Sequence, residues 1–102
     1  MELYHYTDKR GFDAIRASKP WRFRAEVPPG DHPRGTYFTR LPPETVNLAK
    51  RLGIPKEKTE YVFIFRDEGD LIPLPGGRGR YIVYSADDYE APTERQIDAR
   101  KT

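Results

Sequence analysis

The run Tyr61-Val62-Phe63-Ile64-Phe65 constrains this chain more than any other stretch. It is a continuous series of β-forming apolar residues with no polar position to turn toward water. Such a run predicts a central strand covered on both faces. With 102 residues, the chain has room for one domain and one core, spanning 1–102. Hydrophobic residues make up 36% and charged residues 33%, so much of the burial must fall on seven Tyr, five Phe and one Trp.

Other elements follow around that strand. Residues 2–7 read as a first strand, and Thr7-Asp8 as the N-cap of a helix over 8–18 with Phe12 and Ile15 on one face. Trp21-Arg22-Phe23 is a brief strand, 25–34 a loop rich in breakers, and 35–40 a further strand. Pro42-Pro43-Glu44 is expected to open a second helix, with Val46, Leu48, Ala49 and Leu52 on its apolar side and Gly53 as its C-cap. Leu71-Ile72-Pro73-Leu74 suits an edge strand, because Pro73 has no amide proton to donate. Residues 80–85 form the last good strand, and the polar tail 91–102 is expected to fray or to be weakly helical. Helices early and strands late predict an α+β fold.

The composition narrows the chemistry. Eighteen basic against sixteen acidic residues leave a net charge of +2, too balanced to demand nucleic acid. No cysteine is present and only His5 and His32 are histidines, which argues against a disulfide, a Cys nucleophile and a zinc site. Pro75-Gly76-Gly77-Arg78-Gly79 lacks the Lys-Ser/Thr of a phosphate-binding loop, and no Gly-x-Ser-x-Gly elbow exists. Trp21-Arg22-Phe23-Arg24 interleaves bases and aromatics in a way that suits stacking on a nucleobase. With no long apolar run and no signal-peptide pattern, the expectation is a soluble chain with no membrane partner, cytoplasmic or a released fragment of something larger.

Two short strand motifs carry the rest: Leu3-Tyr4-His5-Tyr6-Thr7 and Gly35-Thr36-Tyr37-Phe38-Thr39. A lone strand histidine is as a rule structural; its functional alternative is a neutral imidazole bonded to a ligand hydroxyl. Tyr37 reads either as a core tyrosine or as a platform for a flat ring. Gly35 beside it lets a ligand or another backbone approach closely. Asp87 and Asp88 follow the last strand, with Glu90 nearby; Asp67, Glu68 and Asp70 form a second acidic turn.

Taken together, the two motifs resemble the His-Tyr-acid branch of the ADP-ribosyltransferase superfamily over about residues 3–90, most closely the small bacterial toxin domains with a His-Tyr-Asp signature. The resemblance implies a split β-sheet with NAD+ in a cleft between two half-sheets, short helices, and no metal. It implies that His5 holds the hydroxyls of the nicotinamide-side ribose and that Tyr37 stacks on nicotinamide. Tyr6, Thr7, Gly35, Thr36 and Thr39 would line the pocket, with the loop 25–34 over NAD+ and Arg10, Arg16, Arg22, Arg24 and Arg34 near the pyrophosphate. The third catalytic residue maps to Asp87, with Asp88 as the neighbouring alternative. In polymerase-like members the acid instead precedes such a strand as Tyr81-Ile82-Val83-Tyr84, where this chain has Arg80; under that alignment the acid is missing. The implied reaction transfers ADP-ribose from NAD+ to a protein or nucleic-acid acceptor, and an immunity protein is the implied toxin partner. NAD+ hydrolysis, a degenerate NAD+- or RNA-binding module, and an RNA 2′-phosphotransferase of the same superfold stand as alternatives.

Overall fold

Val62, Phe63, Ile64 and Phe65 on strand β4 (Tyr61–Arg66) are each no more than 6% exposed, as a strand covered on both faces requires. Alternation sends them to two cores. Phe63 and Phe65 join Leu3, Phe12, Phe23 and Phe38 on one face; Val62 and Ile64 join Tyr6 and Leu48 on the other. The structure, a computed structural model, describes residues 1–27 and 32–102. It is a small α+β domain.

Among the described residues, six strands form the main sheet in the order β5-β6-β3-β1-β4-β8, each antiparallel to its neighbour. They are β1 (Glu2–Thr7), β3 (Thr36–Thr39), β4, β5 (Ile72–Pro73), β6 (Ile82–Ser85) and β8 (Gln96–Lys101). As expected of Pro73, β5 lies at an edge. A separate antiparallel ribbon joins β2 (Trp21–Phe23) to β7 (Tyr89–Ala91). The ribbon and helix α1 (Lys9–Ala17) cover the first face, where Phe23 contacts the rings of Phe38, Phe63 and Phe65 with centroids 5.1–5.8 Å apart. The second face is covered by Leu41, Leu48, Leu52 and Ile54.

Helix α1 begins where the sequence places its cap. Asp8 is extended, and its Oδ1 accepts the Gly11 amide at 2.9 Å. Gly11 is required there, because a Cβ would overlap the Thr7 hydroxyl.

Two expectations are corrected. The second helix does not open at Pro42. Residues 42–45 form a turn closed by the Thr45 amide on the Pro42 carbonyl at 3.0 Å, and α2 spans only Leu48–Leu52. Asn47 adopts a left-handed conformation (φ 58°), which asparagine tolerates better than most residues and which interrupts helical continuity. Val46 consequently lies 72% exposed rather than on the apolar side, while Gly53 does end the helix at φ 70°. Nor does the tail fray. Residues 89–91 form β7, and β8 pairs with β4 from Tyr61↔Lys101 to Phe65↔Gln96.

Candidate functional site

The six strands form one continuous sheet, in which β3 and β1 are neighbours, rather than two separate half-sheets. β1 and β4 are paired at six positions and β3 and β6 at four, but β1 and β3 pair only at Tyr4↔Thr39. The Arg40 amide bonds to the Tyr81 carbonyl of the β6 side at 2.9 Å. By alternation the backbone groups of Tyr37 and Thr39 therefore point toward β1. At Tyr37 this carbonyl meets a side chain. Nδ1 of His5 donates to it at 3.0 Å.

That bond fixes the imidazole. A carbonyl only accepts, so Nδ1 carries the proton and Nε2 carries the lone pair when the ring is neutral. The ring is half-buried against Phe23 and Phe38, with centroids 4.8 and 5.5 Å away. Burial depresses its pKa to about 4, against a smaller opposing effect of the Tyr37 carbonyl. His5 is thus neutral at pH 7, and Nε2, an acceptor, has no protein partner among the described residues.

The depressed pKa makes a stability prediction. The unfolded chain takes up a proton on His5 near pH 6.5, and the folded chain only near pH 4. Between these values the unfolded state binds more protons, so stability falls as pH drops through this window and levels off below it. The loss is up to about 3 kcal/mol, less to the extent that the ring keeps contact with water. Urea unfolding at a series of pH values should show this slope, and His5→Phe should remove it.

Tyr37 lies next to His5 in the sheet but on the other side of it. Phe38 faces His5, so by alternation the Tyr37 ring faces away. It stacks on Tyr84 with centroids 5.5 Å apart and planes 16° apart. Its hydroxyl donates to the Pro33 carbonyl, and burial, followed by the neighbouring Tyr84, raises its pKa. The two side chains do not sit face to face on one surface. They lie on opposite faces of the sheet where β1 meets β3.

The remaining expected pocket residues divide into committed and open positions. Tyr6 belongs to the second core, and its hydroxyl donates to the Leu41 carbonyl at 2.7 Å. Thr7 is buried against Gly11 of α1. The Thr39 hydroxyl bonds to the Tyr81 carbonyl at 2.7 Å and receives the Leu41 amide at 3.1 Å. Gly35 admits a backbone: a Cβ there would overlap the Ser85 carbonyl oxygen. Thr36, on the His5 side of the sheet, donates to the Asp87 carbonyl at 3.2 Å and so fixes the turn after β6.

In that turn the two aspartates differ. Oδ1 of Asp88 accepts the Ala25 amide at 2.8 Å and Oδ2 pairs with Arg22 at 3.2 Å. The Ala25 amide, then Arg22, holds this carboxyl below its ordinary pKa. Asp88 is therefore occupied in tying the segment after β2 to the β6–β7 turn. The Asp87 carboxylate is exposed and has no hydrogen-bond or ion-pair partner among the described residues. The aromatics of Trp21-Arg22-Phe23-Arg24 are not offered for base stacking. Phe23 is 1% exposed and Trp21 packs edge-on against Phe63. Of the loop expected over the cleft, residues 28–31 lie outside the described residues; Glu26 and Gly35 exchange both backbone bonds at 2.9–3.0 Å.

Sequence reasoning missed Tyr84, which supplies the partner ring for Tyr37, and Phe38, which shapes the His5 pocket. The signal was present: antiparallel pairing of 35–40 with 80–85 puts Tyr37 opposite Tyr84. No helix is long and apolar enough to cross a membrane among the described residues. No family model, curated protein or solved structure matches this chain.

Proposed function

We propose that this chain is an NAD+-dependent ADP-ribosyltransferase-like domain of the split-sheet kind, with NAD+ bound at His5 where β1 meets β3. The observation that carries the reading is His5: a neutral imidazole, anchored through Nδ1 to the β3 backbone, with Nε2 open as an acceptor. A ribose hydroxyl is a donor that suits Nε2. Tyr37 points to the opposite face of the sheet, where it stacks on Tyr84, so its expected stacking on nicotinamide is not carried into this reading.

In this reading the bond between nicotinamide and ribose C1′ breaks, and its electron pair leaves with the nicotinamide nitrogen. Positive charge develops on C1′ and the ring oxygen. The Asp87 carboxylate supports that charge, and the acceptor's nucleophilic atom attacks C1′ and loses a proton. His5 orients the ribose end of the bond that breaks. The acceptor is a macromolecule; if water replaces it, the products are nicotinamide and free ADP-ribose.

The test is nicotinamide release from NAD+ by the purified chain. Asp87→Asn should lower turnover by about 10²-fold or more, the size of losing one preorganised electrostatic group. Asp88→Asn should act mainly through stability and apparent KM, because Asp88 holds backbone. The reverse ranking would transfer the catalytic role to Asp88. Absence of both NAD+ binding and nicotinamide release in the wild-type chain would remove the reading.

A further inference from the structure

Apart from the Tyr81 carbonyl, the glycine-rich stretch 75–81 has no part in the site above, yet the fold builds it into a charged surface. Its 3₁₀ turn, Gly77–Arg80, packs beside the C-terminal end of α2. The Arg78 guanidinium lies over Gly53, with Nη1 2.9 Å from where a Cβ would stand. The Tyr81 hydroxyl donates to the Arg51 carbonyl at 3.0 Å. Gly79 has no room for a side chain because a Cβ would meet the Leu74 carbonyl oxygen, whereas Gly76 and Gly77 face open space. Two elements far apart in sequence are thereby locked together, and three exposed arginines, Arg51, Arg78 and Arg80, share one neighbourhood.

None of the three has a carboxylate within 4.0 Å among the described residues; what sets them apart from other arginines without one, such as Arg10 and Arg66, is that they are gathered on two packed elements. The carbonyl end of a five-residue helix accounts for some attraction to cations, but not for three unpaired ones. Clustered unpaired arginines repel one another, and a polyanion relieves that repulsion.

We propose that this surface, formed by 75–81 and the end of α2, binds single-stranded nucleic acid. Three features favour it over an acidic protein or an anionic membrane. The cations are arginines, whose planar forks match phosphate oxygens. Half-buried Tyr81 adds an aromatic ring beside them for a base to stack on. Open glycines at 76 and 77 let a sugar-phosphate backbone come close. The inference does not depend on NAD+ chemistry and is tested without NAD+.

Fluorescence anisotropy with labelled oligothymidylate and oligouridylate of about twelve nucleotides measures it directly. Three phosphate contacts give a salt slope of about −2 for a single strand, so affinity should fall roughly twenty-fold between about 50 and 200 mM salt. R51A/R78A/R80A should weaken binding at least ~10-fold. K9A/K19A/K101A, with the same change in charge but elsewhere on the surface, should leave it within ~2-fold. The single reversal Arg80→Glu repeats the test at an exposed position, giving up one long bond from Arg80 Nε to the Gly77 carbonyl at 3.3 Å. Equal losses in the two triple variants would reduce the effect to net charge and overturn the proposal. So would absence of oligonucleotide binding at low salt, or equal affinity for polyglutamate or for phosphatidylserine vesicles.

Discussion

Replacing His5 by phenylalanine is expected to reduce nicotinamide release at least ~10²-fold while leaving the chain folded. The substitution separates two roles of one side chain. His5 packs against Phe23 and Phe38, so His5→Ala would leave a hole in the aromatic cluster as well as remove Nε2. Phenylalanine refills most of that volume. It breaks the bond from Nδ1 to the Tyr37 carbonyl, which costs about 1 kcal/mol, and removes the acceptor on which the proposed ribose contact depends. A structural histidine therefore predicts a small change in urea midpoint and unchanged NAD+ affinity. The proposed role predicts the same small change in midpoint, with loss of both affinity and turnover. His5→Asn gives an intermediate case, since its amide is too short to bond both the carbonyl and the ligand.

The second large effect is on folding. A chain ending at Ala91 is expected to lose its cooperative unfolding transition. Strand β8 supplies the outer partner of β4, and Arg95, just before it, is 5% exposed. The Arg95 guanidinium donates to the Arg66 carbonyl from Nε at 3.0 Å and from Nη2 at 2.8 Å, and to the Tyr89 hydroxyl at 2.8 Å. It lies 5.5 Å from the Phe65 ring and 5.7 Å from the Tyr89 ring. Its pairing with Glu68 at 3.4 Å contributes little, because that carboxylate is 61% exposed. Hydrogen bonds from a charged group are worth about 1.5–3 kcal/mol each, and a desolvated cation over a ring about 2 kcal/mol. Their loss, together with an exposed edge on the central strand, approaches the whole stability of a small domain, about 5 kcal/mol. Arg95→Ala alone should lower stability by about 2–4 kcal/mol. Urea unfolding followed by tryptophan fluorescence reads both variants, through the single Trp21 packed on Phe63. An unchanged midpoint in the truncated chain would show that the tail is dispensable, as its polar sequence suggests.

Why that tail was misread is instructive. Gln96-Ile97-Asp98-Ala99-Arg100-Lys101 lies at a sheet edge, where only Ala99 packs on the main core. Its stability comes from β4 and from Arg95, neither of which a pattern of apolar residues reports. The shortened α2 has a similar cause: one left-handed residue, Asn47, overrides favourable helical spacing on both sides of it. By contrast, β4, the Asp8 cap and the Gly53 stop depend on local chemistry and were legible. At the candidate site the neighbouring strands of His5 and Tyr37 were legible from their motifs. Their meeting through a side chain and a main-chain carbonyl was not, because it depends on the register in which β1 and β3 pair. The distinction between Asp87 and Asp88 likewise rests on which carboxylate reaches the Ala25 amide, a matter of one residue in a turn.

The most direct test of the account is the ¹⁵N spectrum of the imidazoles during titration with NAD+. The chain has two histidines, His5 and His32, whose resonances a His32→Gln variant tells apart. The account predicts that His5 is neutral at pH 7 with its proton on Nδ1, and that NAD+ shifts the His5 Nε2 resonance saturably. A His5 protonated at pH 7, or one whose Nε2 does not respond while NAD+ binds elsewhere, would contradict it.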